Sequence, residues 1–192
     1  WVDNFDQLIK IAVTGSNGKS TTKEMIGSIL SEEGSTIINE GNLNSETGLP
    51  LSVFKIDNDH KFGVFEMGIN HPGEMKDLVS VFKPHYALIT NIGNAHIGLM
   101  GNQEAIAKEK SDIFSLFKKN DIAFIFEEDT WAFYLKSRCS GSTIMYGTES
   151  TEGIGELKNL GLNGWEINYK DQKIHLKLIG DHNLLNAIAA IS

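Results

Sequence analysis

The chain has 192 residues, 41% of them hydrophobic, and 25 acidic against 17 basic side chains leave a net charge of −8. A chain of this length buries roughly 70% of its unfolded surface, enough for one self-sufficient core. The single cysteine, Cys139, excludes an intramolecular disulfide and favours a reducing compartment. The acidic balance is the reverse of a general nucleic-acid binder's. No apolar run approaches the ~20 residues of a membrane span. Trp1–Lys10 lacks the apolar stretch of a signal peptide. A cytoplasmic protein bound to neither nucleic acid nor membrane is expected.

In chain order, residues 1–10 read as a linker leading into a domain over 11–192. Ile9–Val13 is a short strand ending at Thr14-Gly15. Thr21–Glu33 follows as a helix with Met25, Ile26, Ile29 and Leu30 on one face, stopped by Gly34. Thr36–Ile38, Phe62–Met67, His85–Ile92 and Ile122–Phe126 read as strands. Gly73–Val81, Gln103–Phe117 and Thr130–Ser137 read as helices between them. Strands alternating with helices predict an α/β fold, a mostly parallel sheet flanked by helices. From about 143 to 179 the helices vanish, and Asn163-Gly164 between apolar runs signals a hairpin. A small antiparallel sheet is expected there. Asn183–Ile191 then begins a helix. The Trp1 start and the Ile191-Ser192 finish read as cut ends, so further domains of a longer polypeptide are expected on either side.

Ile11 to Thr22 runs from a strand through Gly15-Ser16-Asn17-Gly18-Lys19-Ser20 into a helix. Such a turn lets backbone N–H groups face phosphates at a helix N-terminus. Lys19 would reach the outer phosphates and the Ser20 hydroxyl would hold Mg²⁺. Val13 stands where the common G-x-x-x-x-G-K-[ST] pattern has its first glycine, and a plain Gly/Ser turn capping a helix is the alternative. Glu66, at the end of its strand, is either a magnesium ligand beside the phosphates or a solvated loop acid. Lys110 lies four residues after Ile106 and three before Ile113, on the apolar stripe of its helix. It is either a snorkelling lysine or one whose buried amine is neutral and nucleophilic. Lys108 falls off the stripe.

Thr14–Met25 as a whole resembles the ATP loop of the Mur ligases, the ATP-dependent amide ligases that build the peptidoglycan stem peptide. Four further segments resemble the family in the same order: Gly41–Pro50, Glu66–Glu74, Thr90–His96 with Ala107–Phe114, and Gly180–Ala187. Lys23-Glu24-Met25 and Asn70-His71-Pro72-Gly73-Glu74 look most like the members that add D-Ala-D-Ala. The resemblance implies the central ATPase domain of a three-domain enzyme, monomeric, with the N-terminal and C-terminal domains outside this chain. It implies UDP-N-acetylmuramoyl-tripeptide and D-Ala-D-Ala as substrates.

As cofactors the resemblance implies ATP, two Mg²⁺ ions and a carbamylated lysine. Gly15, Ser16, Asn17, Gly18, Lys19, Ser20 and Thr21 would bind ATP, with Asn183 and Asn186 facing the adenine and His182 flanking it. Ser20, Glu66, His96 and carbamylated Lys110 would hold the metals, with Lys19, Lys110 and His96 catalytic. Asn42, Asn44, Ser45 and Thr47 would contact the sugar-peptide. On spacing alone, Asn183 is equally a helix N-cap, His96 a surface histidine, and the Asn42–Thr47 loop a solvated turn. Other Mur-type or folylpolyglutamate-type ligases share the core. A P-loop ATPase switch is a further alternative, but gives no reason for a lysine on a buried helical face.

Overall fold

Alternation along each strand decides the layering. The computed structural model describes residues 1–192. In it, β1 (Ile9–Thr14) sends Ala12 into one core cluster and Val13 into another. β3 (Phe62–Glu66), β4 (Tyr86–Ile89) and β5 (Ile122–Phe126) do the same. Phe65, Ala87, Ile89, Ala123 and Ile125 face one way, and Val64 and Leu88 the other. Strands apolar on both faces need cover on both. On the first face α2 (Gly48–Val53), α3 (Glu74–Phe82), α5 (Gln103–Ser111) and α6 (Ala132–Arg138) supply Leu49, Leu78, Phe82, Ile106 and Leu135. On the second, α1 (Lys19–Ser31) and α7 (Asp181–Ile191) supply Ile26, Leu184 and Ile188.

With β2 (Thr36–Ile38) and β6 (Ser142–Tyr146), the sheet has six strands in the order β2-β3-β1-β4-β5-β6, every pair parallel. The chain builds one side of β1 through β2 and β3, then crosses to the other with β4. The C-terminal ends of β1, β3 and β4 therefore flank the crevice where open α/β sheets take ligands.

The smaller sheet is antiparallel, as expected, but narrower than 143–179. It consists of β7 (Ile154–Asn159), β8 (Trp165–Tyr169) and β9 (Gln172–Leu176). Residues 143–146 instead form most of β6, parallel to β5. A five-residue strand reads alike in either sheet until its partner is known. The connection at Asn163-Gly164 is a five-residue loop containing a 3-10 turn, Gly161–Asn163. The tight turn sits between β8 and β9, where Lys170 and Asp171 both take positive φ, 48° and 62°, as a type I′ turn requires.

Three other readings shift. The buried face of α1 is Thr22, Lys23, Ile26 and Gly27, while Ile29 is exposed, because Gly27 packs against Ile38. The Gln103–Phe117 helix ends at Ser111 and continues as a 3-10 turn, Asp112–Phe114. Two further helices, α2 and α4 (Ile97–Met100), are six and four residues long, too short to show a helical period in the sequence. Residues 1–10 contribute Val2 and Leu8 to the core and the first two residues of β1. No helix is long and apolar enough to cross a membrane.

Candidate active site

The loop after β1 is held from two sides. Ser16 N–H donates to the Asn91 carbonyl (2.9 Å) and Asn17 N–H to Asn91 Oδ1 (3.1 Å). Gly93 N–H donates to Ser16 Oγ (2.8 Å) and Thr90 Oγ1 to the Asn17 carbonyl (2.6 Å). Gly18 caps α1 at φ 80°, and a Cβ there would lie 2.3 Å from Asn186 Oδ1. Glycine is thus required twice, by conformation and by the approach of α7. Gly18→Ala is expected to lose about 1–2 kcal/mol from left-handed strain alone, read as a lower denaturant midpoint at unchanged m-value. An unchanged midpoint would contradict this loop geometry.

Lys19 opens α1 and donates to the Ser16 carbonyl (3.3 Å). Burial lowers its pKa, against the opposing charge of Glu66. One residue on, Ser20 Oγ donates to Glu66 Oε2 (2.6 Å). Glu66 is 2% exposed, and Asn44 Nδ2 donates to its other oxygen (2.6 Å). Hydroxyl and carboxylate thus meet at the foot of the loop. Mg²⁺ typically takes one or two carboxylates plus phosphate oxygens, so this pair fits one such ion. No group of three or more His, Cys, Asp or Glu side chains comes together to hold a metal.

Lys110 reaches the loop from α5. It is 1% exposed, and its Nζ donates to the Gly15 carbonyl (2.9 Å). Burial first, then the charge of Lys19, brings its pKa down to about 7. Lys108 is exposed. The neighbouring Glu109 turns the other way and accepts from Gly73 N–H and Met75 N–H (both 2.9 Å), fixing the start of α3. His96 is exposed at φ 65°, the N-cap position of α4. Its pKa is lowered, by desolvation first and then by the charges of Lys110 and Lys19.

A cavity of about 460 Å³ adjoins the loop, lined by Asn17, Gly18, Thr90, Asn91, Phe126, Tyr146, His182, Leu185 and Asn186. Asn186 is 7% exposed and donates weakly to Asn183 Oδ1 (3.5 Å). Asn183 is no N-cap: Gly180 holds that position, and Asn183 Nδ2 donates back to the Ile179 carbonyl (2.9 Å). Sequence reasoning missed Phe126 and Tyr146. Both end sheet strands, and position at a strand's C-terminal end was the available signal. Tyr146 hydroxyl donates to the Ile89 and Thr90 carbonyls (3.1 and 3.2 Å), and burial pushes its pKa up. Thr21 is half-buried on α1.

Of the 42–47 residues, only Asn44 reaches Glu66. Ser45 Oγ accepts from Gly48 N–H (3.4 Å) at the start of α2. Asn42 and Thr47 are exposed, and Thr47 makes no side-chain cap bond.

The family described as the Mur ligase middle domain matches residues 13–192. A UDP-N-acetylmuramoyl-tripeptide–D-alanyl-D-alanine ligase of Treponema pallidum is 41% identical over 188 residues, covering 98% of this chain and 41% of the relative. The crystal structure of MurF from Acinetobacter baumannii superimposes with a TM-score of 0.92 at 33% identity, over 98% of this chain and 43% of that one. MurF from Thermotoga maritima in complex with ADP gives 0.83 at 29% identity, over 99% and 45%. This chain therefore spans less than half the length of these relatives. The five segments that resemble the family, the parallel sheet and the loop geometry agree with these matches: the chain belongs to the Mur ligase family and carries its middle domain.

Proposed function

We propose that this chain, with residues 1–10 packed into its core, is the central ATP-binding domain of a three-domain, monomeric, cytoplasmic MurF-type ligase. It joins D-Ala-D-Ala to UDP-N-acetylmuramoyl-tripeptide. The observation that carries this reading is Lys110, brought from a helix 95 residues away to the Gly15 carbonyl under the loop. A nucleotide switch needs no such group. A ligase that must hold an acyl donor against ATP does.

In this reading a substrate carboxylate oxygen bonds to the γ-phosphorus and ADP leaves, forming an acyl phosphate. The D-Ala-D-Ala amine then bonds to the acyl carbon, loses a proton, and expels phosphate. Lys19 and the loop N–H groups stabilise the charge on the transferring phosphoryl group. Ser20 and Glu66 would hold one Mg²⁺, and His96 with carbamylated Lys110 would hold a second. Magnesium held there would supply positive charge against the phosphates. The Lys110 ammonium first gives up a proton; the neutral amine then bonds to the carbon of CO₂ and releases a second, so a cation becomes an anion. Asn186 and His182 line the cavity that takes the adenine, with Asn183 bonded behind Asn186, and Asn42, Asn44, Ser45 and Thr47 face the sugar-peptide.

The test uses the full-length protein with UDP-N-acetylmuramoyl-tripeptide, MgATP and bicarbonate. Phosphate release is expected to require D-Ala-D-Ala. Release indifferent to the dipeptide would move the acceptor to another ligase or leave a switch. Residues 1–192 alone are expected to form no amide.

A further inference from the structure

Asn39 belongs to none of the segments that resemble the family, yet its side chain is fully buried at the centre of the site. It directly follows β2, whose pairing with β3 ends at Ile38 against Val64. Its amide then takes over from the backbone. Asn39 Oδ1 accepts the Glu66 N–H (2.8 Å), and Asn39 Nδ2 donates to the Glu66 carbonyl (3.0 Å). A side-chain amide offers the same donor and acceptor as a peptide group. The β2–β3 ladder is therefore extended to Glu66 while the main chain is free to turn away.

The main chain turns into the 40–48 loop, and Asn39 Nδ2 also donates to the Leu43 carbonyl (2.8 Å). That holds the loop where Asn44 returns to the Glu66 carboxylate (2.6 Å) and accepts Gly68 N–H on its own carbonyl (2.8 Å). From the other side Lys23, 1% exposed on α1, donates to the Asn39 carbonyl (2.5 Å). Lys23 lies three residues after Ser20 on that helix, and Ser20 bonds the second Glu66 oxygen. One residue thus ties the phosphate-loop helix, the Glu66 main chain and the 40–48 loop together. A buried network with its donors and acceptors satisfied is stiff, and losing one member leaves the others unpaired.

We propose that Asn39 is a positioning residue that sets the Glu66 carboxylate for a divalent cation and couples the 40–48 loop to it. The proposal rests on the reading of Glu66 as a metal ligand, so the experiment separates the two. Mn²⁺ binding to the full-length protein with ADP is followed by electron paramagnetic resonance, alongside the unfolding midpoint. Asn39→Ala is expected to weaken Mn²⁺ roughly tenfold, about 1.4 kcal/mol, and to raise the KM for the muramyl-peptide more than it lowers kcat. Leu135→Ala, which opens a cavity in the core at α6, is expected to lower the midpoint and leave Mn²⁺ affinity unchanged.

If Asn39→Ala yields no folded protein, Asn39→Ser, too short to span to Glu66, is read the same way. Unchanged Mn²⁺ affinity in the folded Asn39 variant, with only the midpoint lowered, overturns the positioning role. Unchanged affinity in Glu66→Gln overturns the metal reading itself, and the proposal with it.

Discussion

Lys110→Ala is expected to lower kcat of the proposed ligation by the full-length protein by at least about 10³-fold, at the upper end of what removing one electrostatic stabiliser costs. Two losses combine. The Gly15 carbonyl loses its donor beneath the loop, and the proposed anionic ligand disappears. A second readout isolates the chemistry from packing. Wild-type activity should fall when CO₂ and bicarbonate are removed and return when they are restored. A Lys110 variant should be indifferent. Wild-type activity that ignores bicarbonate would sink the carbamate and leave Lys110 a structural lysine.

The same residue sets a pH dependence whose sign follows from its depressed pKa. In bicarbonate-free buffer the folded protein releases the Lys110 proton near 7, while the unfolded chain keeps it to about 10.5. Between those values unfolding takes up a proton, so Lys110 makes stability climb as pH rises. Below 7 both states are protonated, and the full cost of burying the ammonium is present. Lys110→Met should remove that climb, on the order of a few kcal/mol across the window. Denaturant unfolding of both proteins from pH 6 to 10 tests it: parallel curves would contradict a buried titrating amine.

Lys19→Ala carries the other large effect, about 10²–10³ in kcat. Lys19 is anchored by the Ser16 carbonyl and lies within the field of Glu66, so its ammonium is oriented before phosphates arrive. A preorganised charge costs little reorganisation during transfer, which is why its loss should fall on kcat more than on nucleotide affinity. Lys19→Arg should rescue poorly, because a planar fork does not replace a point charge. Single-turnover formation of ADP, with affinity measured separately by calorimetry, distinguishes the two parameters. A kcat within a few-fold of wild type would exclude the role.

Much of this site was legible because its parts are local. A strand, a glycine turn and Lys19-Ser20 are contiguous, and backbone N–H groups at a helix start need no distant partner. Lys110 was legible for a different reason: helical periodicity placed it on the buried face between Ile106 and Ile113, and it is buried there. Asn183 was ambiguous because the helix start moved two residues upstream, to Asp181, and a cap is defined by that boundary.

What the chain determined by itself is the alternation of strands and helices, the phosphate-loop pattern and the family resemblance, all encoded in neighbouring residues. Tertiary structure alone decided which sheet 143–146 joins, since a short apolar strand carries no mark of its partner. It alone assembled Phe126, Tyr146 and Asn186 around one cavity. It also decided that Asn39 completes the β2–β3 ladder at Glu66. These contacts span tens of residues, and hydrogen bonds between groups far apart in sequence leave no periodic trace in it.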